Sequence, residues 1–246
     1  MEMNTLIEKT RVLHQLLQKS ASQTLEFDGA AEELAKVLNS EVYIVGQQGA
    51  VLGQGRCRNV RGGFFFPGEI VDGRLNADCC RWVEGFRGSE VNLQPDGRDM
   101  LCMVAVAQNG GRGGVVIYAR ESPEYDAGEV LLAEYGAGLA GMQMQIKANE
   151  RMENDARKKS VVQMALEVLS YSELEAVKYI FNAIDGSEGF LVASKLAEQY
   201  KLTRSVIVNA LRKLESAGVI DARSLGMKGT YIKVLNHFLY EGLAHV

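Results

Sequence analysis

The sequence predicts an α+β protein in two parts joined by a long helix, with a winged helix-turn-helix at its carboxy-terminal end. Three observations carry this. Leu191 to Val234 reads as a short helix, a tight turn, a second helix ending L-R-K-L-E-S-A-G-V-I, and two short strands around a basic glycine-containing loop. Upstream, from Asp126 to Lys159, an apolar helical repeat passes into a charged run of mixed sign. Before that, the chain alternates between helical and strand periodicities.

The elements follow in order. Leu6, Val12, Leu13, Leu16 and Leu17 recur at helical spacing, which predicts an amphipathic helix over 3–19. A second helix is expected from Gly29 to Leu38. Glu41 to Val45 and Ala50 to Leu52 then form a hairpin around Gln47-Gln48-Gly49, at one edge of a sheet. Residues 53–98 are glycine-rich and read as an irregular insertion, with Phe64-Phe65-Phe66-Pro67, Trp82 and Phe86 able either to line a pocket or to dock onto a core. Leu101 to Ala107 and Val115 to Ala119 are apolar strands around a loop whose glycines suit a hairpin turn. This order fits a mixed sensory domain of the GAF or PAS type, in which one sheet face covers a small-molecule pocket.

Asp126 and Glu129 stand at capping-box spacing, and Val130, Leu131, Ala133, Leu139, Met142 and Ile146 continue the helix. Gly136, Ala137, Gly138, Ala140 and Gly141 allow a second helix to approach closely, from this domain or from a partner. The run Lys147 to Lys159 extends the helix as a solvated linker. The expected domains are 1–155, a sensing domain with its helical linker, and 156–246, the winged helix.

In the carboxy-terminal part, Ser172 caps a helix with Glu175 three residues on, and Leu174, Val177, Ile180 and Phe181 form its buried stripe. Ala193 to Tyr200 is a positioning helix. Thr203 caps the next, in which Val206, Ile207, Ala210, Leu211 and Leu214 face inward, leaving Arg204, Ser205, Asn209 and Arg212 outward. Gly218 ends it. Val219 to Arg223 and Thr230 to Val234 are wing strands, with Lys228 at the tip. A helix fits the major groove, where every base pair shows a different edge pattern. Its first turns reach deepest, so Thr203, Arg204, Ser205, Asn209, Arg212, Arg223 and Lys228 are the candidate DNA-binding residues. The competing reading is a winged helix used for protein contacts.

Composition sets limits. The 246 residues are 47% hydrophobic and 24% charged, with a net charge of −4. That argues against a protein coated in positive charge, yet from Gln199 to Leu235 seven basic residues face only Glu215 and Asp221. No apolar run approaches the roughly 18 residues of a membrane span, and the amino terminus has no secretion signal, so a cytoplasmic protein is expected. Cys57, Cys79, Cys80 and Cys102 form no C-x-x-C pair, and His14, His237 and His245 are far from them in sequence. Free thiols are expected and no metal site. No Ser–His–acid set has recognisable spacing, so no catalytic residues are expected.

S-Y-S-E-L-E-A at 170–176, L-V-A-S-K-L-A at 191–197, T-R-S-V-I-V-N-A-L-R-K-L-E-S-A-G-V-I at 203–220 and R-S-L-G-M-K-G-T-Y-I-K-V-L-N at 223–236 form a specific set. They resemble the CodY family of nutrient-responsive global transcriptional regulators of low-GC Gram-positive bacteria. I-E-K-T-R at 7–11 and L-L-A-E-Y-G-A at 131–137 are also similar. The resemblance spans the chain but is thin between about 53 and 125. It implies a homodimer, with a tetramer as a further option, whose winged helix binds an AT-rich palindromic operator on duplex DNA. It also implies a GAF domain sensing isoleucine, leucine or valine, GTP as a second effector, and mainly repression of genes needed when nutrients are scarce. Arg204, Ser205 and Lys228 fall at positions implicated in DNA contact.

The family's effector site maps onto Phe66-Pro67, with Phe65 beside them. A carboxylate ligand calls for a bidentate guanidinium, which Arg56, Arg58 or Arg61 could supply, Arg56 being favoured by its distance from Phe66. Met103, Val104 and Ala105 stand at the strand wall, with Ala105 where the family has proline. The candidate effector-binding residues are therefore Arg56, Arg61, Phe65, Phe66, Pro67, Met103, Val104 and Ala105. Asn109 to Gly114 lacks the G-K-[ST] ending of a phosphate loop, and Asn236-His237 replaces an Asn-Lys pair likened to a guanine-recognition element. A same-fold regulator of a different small effector, or an interaction protein that binds no DNA, are the alternatives.

Overall fold

The computed structural model describes residues 3–22, 26–57, 70–95, 97, 99–108, 111–184 and 186–245. The chain divides into two compact units, 1–149 and 150–246. One helix, α4 (Ala127–Glu167), belongs to both.

The first unit begins with α1 (Met3–Ser22) and α2 (Phe27–Leu38). The strands β1 (Glu41–Val45) and β2 (Val51–Gly55) form the expected edge hairpin. A two-stranded hairpin, β3 (Ile70–Val71) and β4 (Arg74–Leu75), precedes α3 (Ala77–Gly85). Then come β5 (Ser89–Leu93), β6 (Met100–Gln108) and β7 (Gly111–Arg120). Five strands form one antiparallel sheet in the order β2-β1-β7-β6-β5.

Side chains alternate across a strand, and here both faces are apolar, so each is covered. Val42, Ile44, Val104, Val106, Val116 and Tyr118 pack against Leu13 of α1, Leu34 and Leu38 of α2, and Leu132 and Ala137 of α4. On the opposite face Tyr43, Val45, Leu101, Met103, Val115 and Ile117 meet Leu75, Val83 and Phe86. Burying each such aliphatic side chain is worth about 1.5–3 kcal/mol, which makes the sheet the core of this unit.

The part read as irregular insertion thus contains a helix and an edge strand. Helix α3 is capped by Asn76, whose side chain accepts from the backbone N–H of Asp78 and Cys79. Close approach demands glycine at several positions, two of which join the sheet to itself and to α4. A Cβ at Gly114 would lie 2.0 Å from the carbonyl oxygen of Val45, so β7 can run beside β1 only without a side chain there. A Cβ at Gly136 would lie 2.5 Å from Leu34 and 2.7 Å from the Tyr118 hydroxyl. That assigns one of the small residues of α4 to packing within this domain.

The end of β7 is tied to the start of α4 by one side chain. Arg120 is 2% exposed. Its Nε donates to the Pro123 carbonyl (2.7 Å). Its Nη1 donates to the Leu38 carbonyl (3.1 Å) and to Glu129 Oε1 (3.0 Å). Its Nη2 donates to the Glu124 carbonyl (3.0 Å) and to Glu129 Oε2 (2.6 Å). Glu129 Oε2 also accepts from the backbone N–H of Asp126, while Asp126 Oδ1 accepts from that of Glu129 (2.9 Å), completing the expected capping box. The expected stripe on α4 needs correction, because Leu131 and Met142 are exposed and the buried face runs through Leu132, Ala133, Ala137, Ala140 and Met144.

The second unit contains α5 (Tyr171–Ala183), β8 (Glu188–Leu191), α6 (Ala193–Gln199), α7 (Arg204–Ser216), β9 (Ile220–Ser224), β10 (Thr230–Val234) and α8 (Phe238–Ala244). The wing sheet has three strands in the order β8-β10-β9, one more than expected. The cap of α5 is Ser170, not Ser172: its hydroxyl accepts from the Glu173 N–H, and the Glu173 carboxylate accepts from the Ser170 N–H. A single core gathers Val162 and Leu166 of α4, Val177 and Ile180 of α5, Leu196 of α6, Ile207, Ala210, Leu211 and Leu214 of α7, Ile220 and Ile232 of the wing, and Leu239 of α8.

Candidate functional site

Helix α7 begins where expected. The Thr203 hydroxyl accepts from the Val206 N–H and lies 2.9 Å from the Ser205 hydroxyl. Ile207, Ala210, Leu211 and Leu214 are buried, which rotates the other face to solvent. Arg204, Ser205, Asn209 and Arg212 are all exposed, and Ser205, Asn209 and Arg212 form one stripe at i, i+4 and i+7. After α7 the chain turns at Gly218 (φ 69°) into the wing, whose tip is a short 3₁₀ turn, Gly226–Lys228. Lys228 and Arg223 are exposed.

The cations of this unit fall into two groups. Lys213 Nζ is 2.7 Å from Glu173 Oε2 and donates to the Val168 carbonyl at 3.0 Å, so its charge is spent on joining α7 to α5. The same contact holds the Glu173 carboxyl below the usual carboxylate range. Arg223 pairs with Asp221 at 2.9 Å, with the guanidinium largely exposed. Such a surface pair is worth about 0–1 kcal/mol and opens readily. Arg204, Arg212 and Lys228 make no ion pair among the described residues. Their charge faces solvent.

The candidate effector residues are spread over the first unit. Arg61, Phe65, Phe66 and Pro67, and Arg58 with them, lie outside the described residues. Met103 and Ala105 point to the sheet face covered by Leu75, Val83 and Phe86, whereas Val104 points to the helix layer. Arg56 is exposed just beyond β2, in a polar surface groove of about 810 Å3 shared with Asp28, Glu32, Lys36, Asn39, Gln54 and Cys57. Reading by sequence missed Glu41. It sits in β1 on the same face as Tyr43, is 6% exposed, and its Oε2 has no hydrogen-bond partner among the described residues. Burial, opposed by Arg56 and reinforced by Asp99, pushes its carboxyl up to about 7. A charged residue that opens an otherwise apolar strand was the available signal.

The remaining features have structural roles. Asn236 is buried, its amide donates to the Lys158 carbonyl at 2.9 Å and its Oδ1 accepts from the Phe238 N–H. Both ends of the side chain are therefore engaged in holding the start of α8 to α4, which gives this buried residue a structural role. Burial pushes the Cys102 thiol up to about 12, which leaves it unreactive. Among the described residues no group of three or more His, Cys, Asp or Glu side chains could hold a metal. No described helix is long and apolar enough to cross a membrane.

An α+β unit built on an antiparallel sheet, followed by a winged helix-turn-helix with exposed cations on its second helix and wing, defines a transcriptional regulator architecture. Comparison with known proteins agrees. The model of the CodY helix-turn-helix domain matches residues 187–245, and that of the CodY GAF-like domain matches residues 5–62 and 88–168. The global transcriptional regulator CodY of Thermoanaerobacter sp. (strain X514) is 44% identical over 245 residues, covering 98% of each chain. That of Clostridium perfringens (strain 13 / Type A) is 39% identical over 257 residues, covering 99% of this chain and all of its own. A solved structure of the cofactor-binding GAF domain of the nutrient sensor CodY from Clostridium difficile aligns with a TM-score of 0.43 at 22% identity, over 58% of this chain and 99% of its own. The chain belongs to the CodY family.

Proposed function

We propose that the protein is a global transcriptional regulator that binds duplex DNA as a homodimer and mainly represses genes needed under nutrient limitation. One observation carries the DNA assignment: α7 buries one stripe in the core and turns Arg204, Ser205, Asn209 and Arg212 outward, and the wing that follows exposes Lys228. Arg and Asn can each make two hydrogen bonds to a base edge in the major groove, and Lys228 suits a backbone phosphate. Homodimerisation is supported by α4, where Leu131, Tyr135 and Met142 form an exposed apolar stripe at i, i+4 and i+11.

The amino-terminal unit, on this reading, senses isoleucine, leucine or valine. Family membership supports this, and the exposed Arg56 suits a carboxylate, while Leu101 and Met103 are fully buried under Leu75, Val83 and Phe86. GTP as a second effector rests on family membership alone. The test is fluorescence anisotropy of a labelled AT-rich palindromic duplex at fixed salt. Replacing Arg204 and Lys228 together by Ala is expected to weaken binding about 30-fold or more, because each contact is worth about 1–3 kcal/mol. Lys213→Ala, corrected for folded fraction, is expected to stay within about threefold, since its ammonium is already committed to Glu173. Isoleucine is expected to tighten wild-type binding. Unchanged affinity in the Arg204/Lys228 variant sinks the DNA assignment.

A further inference from the structure

The turn between α6 and α7 holds a long side chain at a conformational cost. Lys201 has φ 54°, in the left-handed region. Among the described residues five non-glycine positions share a positive φ, and Lys201 is the one that lies in the second unit. Three of the others are Asn39, Asp72 and Asn92, whose short polar side chains tolerate this region. A lysine gains nothing there: its Cβ crowds the following carbonyl, and a glycine would adopt the same φ without that crowding.

The fold does not use the side chain in return. Lys201 is exposed, and its ammonium makes no ion pair or hydrogen bond among the described residues. Its neighbours hold the turn instead. The Tyr200 ring stacks on the Tyr179 ring of α5, with centroids 3.8 Å apart and planes at 12°. Leu202 packs against the core, and its N–H donates to the Ala197 carbonyl at 2.9 Å. With both flanking residues anchored, the Lys201 side chain is left to solvent.

In a helix-turn-helix on DNA the first helix crosses the phosphate backbone, and the second enters the major groove with its N-terminal residues at the bases. Lys201 lies between the two, because α6 ends at Gln199 and α7 begins at Arg204. Three residues separate it from Arg204, so the two Cα atoms are within about 11 Å. On DNA, the turn passes over the edge of the groove, where the chemistry on offer is phosphate.

We propose that Lys201 is a further DNA-contact residue, which binds a backbone phosphate at the groove edge and is presented to it by the left-handed turn. This rests on the DNA reading above and deepens it. A phosphate contact positions the protein without reading sequence. Lys201 therefore adds affinity for every duplex, whereas Arg204 is placed to read bases.

The test is fluorescence anisotropy of the full-length protein on the AT-rich palindromic duplex and on a scrambled duplex of equal length, across a salt series. Lys201→Gln removes the charge and keeps the backbone strain, Lys201→Arg keeps both, and Lys201→Gly removes both. Each phosphate contact contributes about 0.9 to the slope of log affinity against log salt, which over the decade from about 0.1 M to 1 M amounts to roughly eightfold. Lys201→Gln and Lys201→Gly are expected to weaken both duplexes by about eightfold or more at about 0.1 M salt, with the slope lowered by about 0.9 for each subunit engaged. Lys201→Arg is expected to stay within about twofold, since it keeps the charge. The Tm of Lys201→Gly is expected to be no lower than that of wild type, because relief of the strain offsets the greater freedom of glycine in the unfolded chain.

Wild type that binds duplex while Lys201→Gln keeps its affinity within twofold and its salt slope overturns the proposal and leaves the DNA reading intact. So does a loss confined to the palindromic duplex, which belongs to a base contact. So does a fall of more than about 3 °C in the Tm of Lys201→Gly, since the side chain then serves the fold. Wild type that binds neither duplex overturns the DNA reading and the proposal with it.

Discussion

Replacing Arg120 by Met removes a strut that joins β7, the end of α2 and the first turn of α4. The side chain uses all its donors: three bonds go to the carbonyls of Leu38, Pro123 and Glu124, and two go to the Glu129 carboxylate. The guanidinium also stacks over the Tyr125 ring at 4.0 Å. Met fills the volume of the stem but satisfies none of these groups. Breaking a buried ion pair by removing one partner costs about 3–5 kcal/mol, because the other charge stays buried alone. Glu129 is 13% exposed, so water relieves little of that. Urea unfolding followed by Trp82, the only tryptophan of the chain and part of this unit, reads the loss directly. With a slope of about 2 kcal/mol per molar, the midpoint is expected to fall by roughly 2 M. Arg120→Lys is expected to recover less than half, since an ammonium cannot reproduce the planar fork. Arg120→Met combined with Glu129→Leu is expected to be more stable than Arg120→Met alone, because it removes the stranded carboxylate. A midpoint shift below about 0.5 M for Arg120→Met would refute the reasoning.

Two further outcomes follow from buried polar groups. The Glu41 carboxyl is raised from its usual 4.5 to about 7, so its contribution to stability is fully present below pH 4.5 and is lost as pH rises through 7. Linkage sets an upper bound of about 3 kcal/mol, and screening by water near the exposed Arg56 reduces it to about 1–2. Glu41→Gln should therefore exceed wild type in stability at pH 8 and match it at pH 5, as chemical denaturation at the two pH values would show; equal differences at both would reject the assignment. Gln143 is 1% exposed, and neither end of its amide has a partner among the described residues. Gln143→Met, which keeps the shape and removes the stranded donor and acceptor, should raise stability by about 1–2 kcal/mol, and a destabilisation in the same assay would show that the amide has a partner in solution.

How legible the molecule was in its sequence depended on whether the deciding interaction was local. The Thr203 cap, the Gly218 stop and the inward stripe of α7 are set within a few residues of chain, and all stand where the pattern placed them. The α5 cap did not, because S-Y-S-E-L-E offers two serines, each with a glutamate three residues on. Tertiary structure breaks the tie: Glu173 also receives Lys213 from α7, forty residues away. Strand β8 has four residues including Gly189, too short for a period, and exists because β10 pairs with it. Helix α3 was hidden for a similar reason, since only Val83 within it is fully buried and no apolar stripe appears. The α4 stripe was misread by one position because small residues there replace the large apolar ones that mark a buried face. The DNA-facing candidates could be named from sequence, as helix geometry alone turns them outward. The effector candidates could not be brought into one constellation, because they come from separate strands and from positions outside the described residues.

The allocation of positive charge ties these points to function. A chain of net charge −4 is repelled by DNA as a whole, so binding depends on where its cations are concentrated. Between Gln199 and Leu235 there are seven basic residues, but the fold does not release all of them. Lys213 is neutralised at the end of α7 nearest α5, and Arg223 is partly offset by Asp221. What remains is Lys201 before α7, Lys233 after the wing tip, Arg212 more than two turns beyond Arg204, Arg204 itself in the first turn of α7, and Lys228 at the wing tip. Those are the places that a groove-bound helix and its wing bring nearest to bases and phosphates. Had Lys213 carried the exposed charge and Arg204 the buried pair, the same composition would have placed the field at the wrong end of the helix. The Lys213–Glu173 pair thus narrows the DNA reading by subtraction: it withdraws one cation of α7 and leaves Arg204 in the first turn, Arg212 further along and Lys228 at the wing tip exposed.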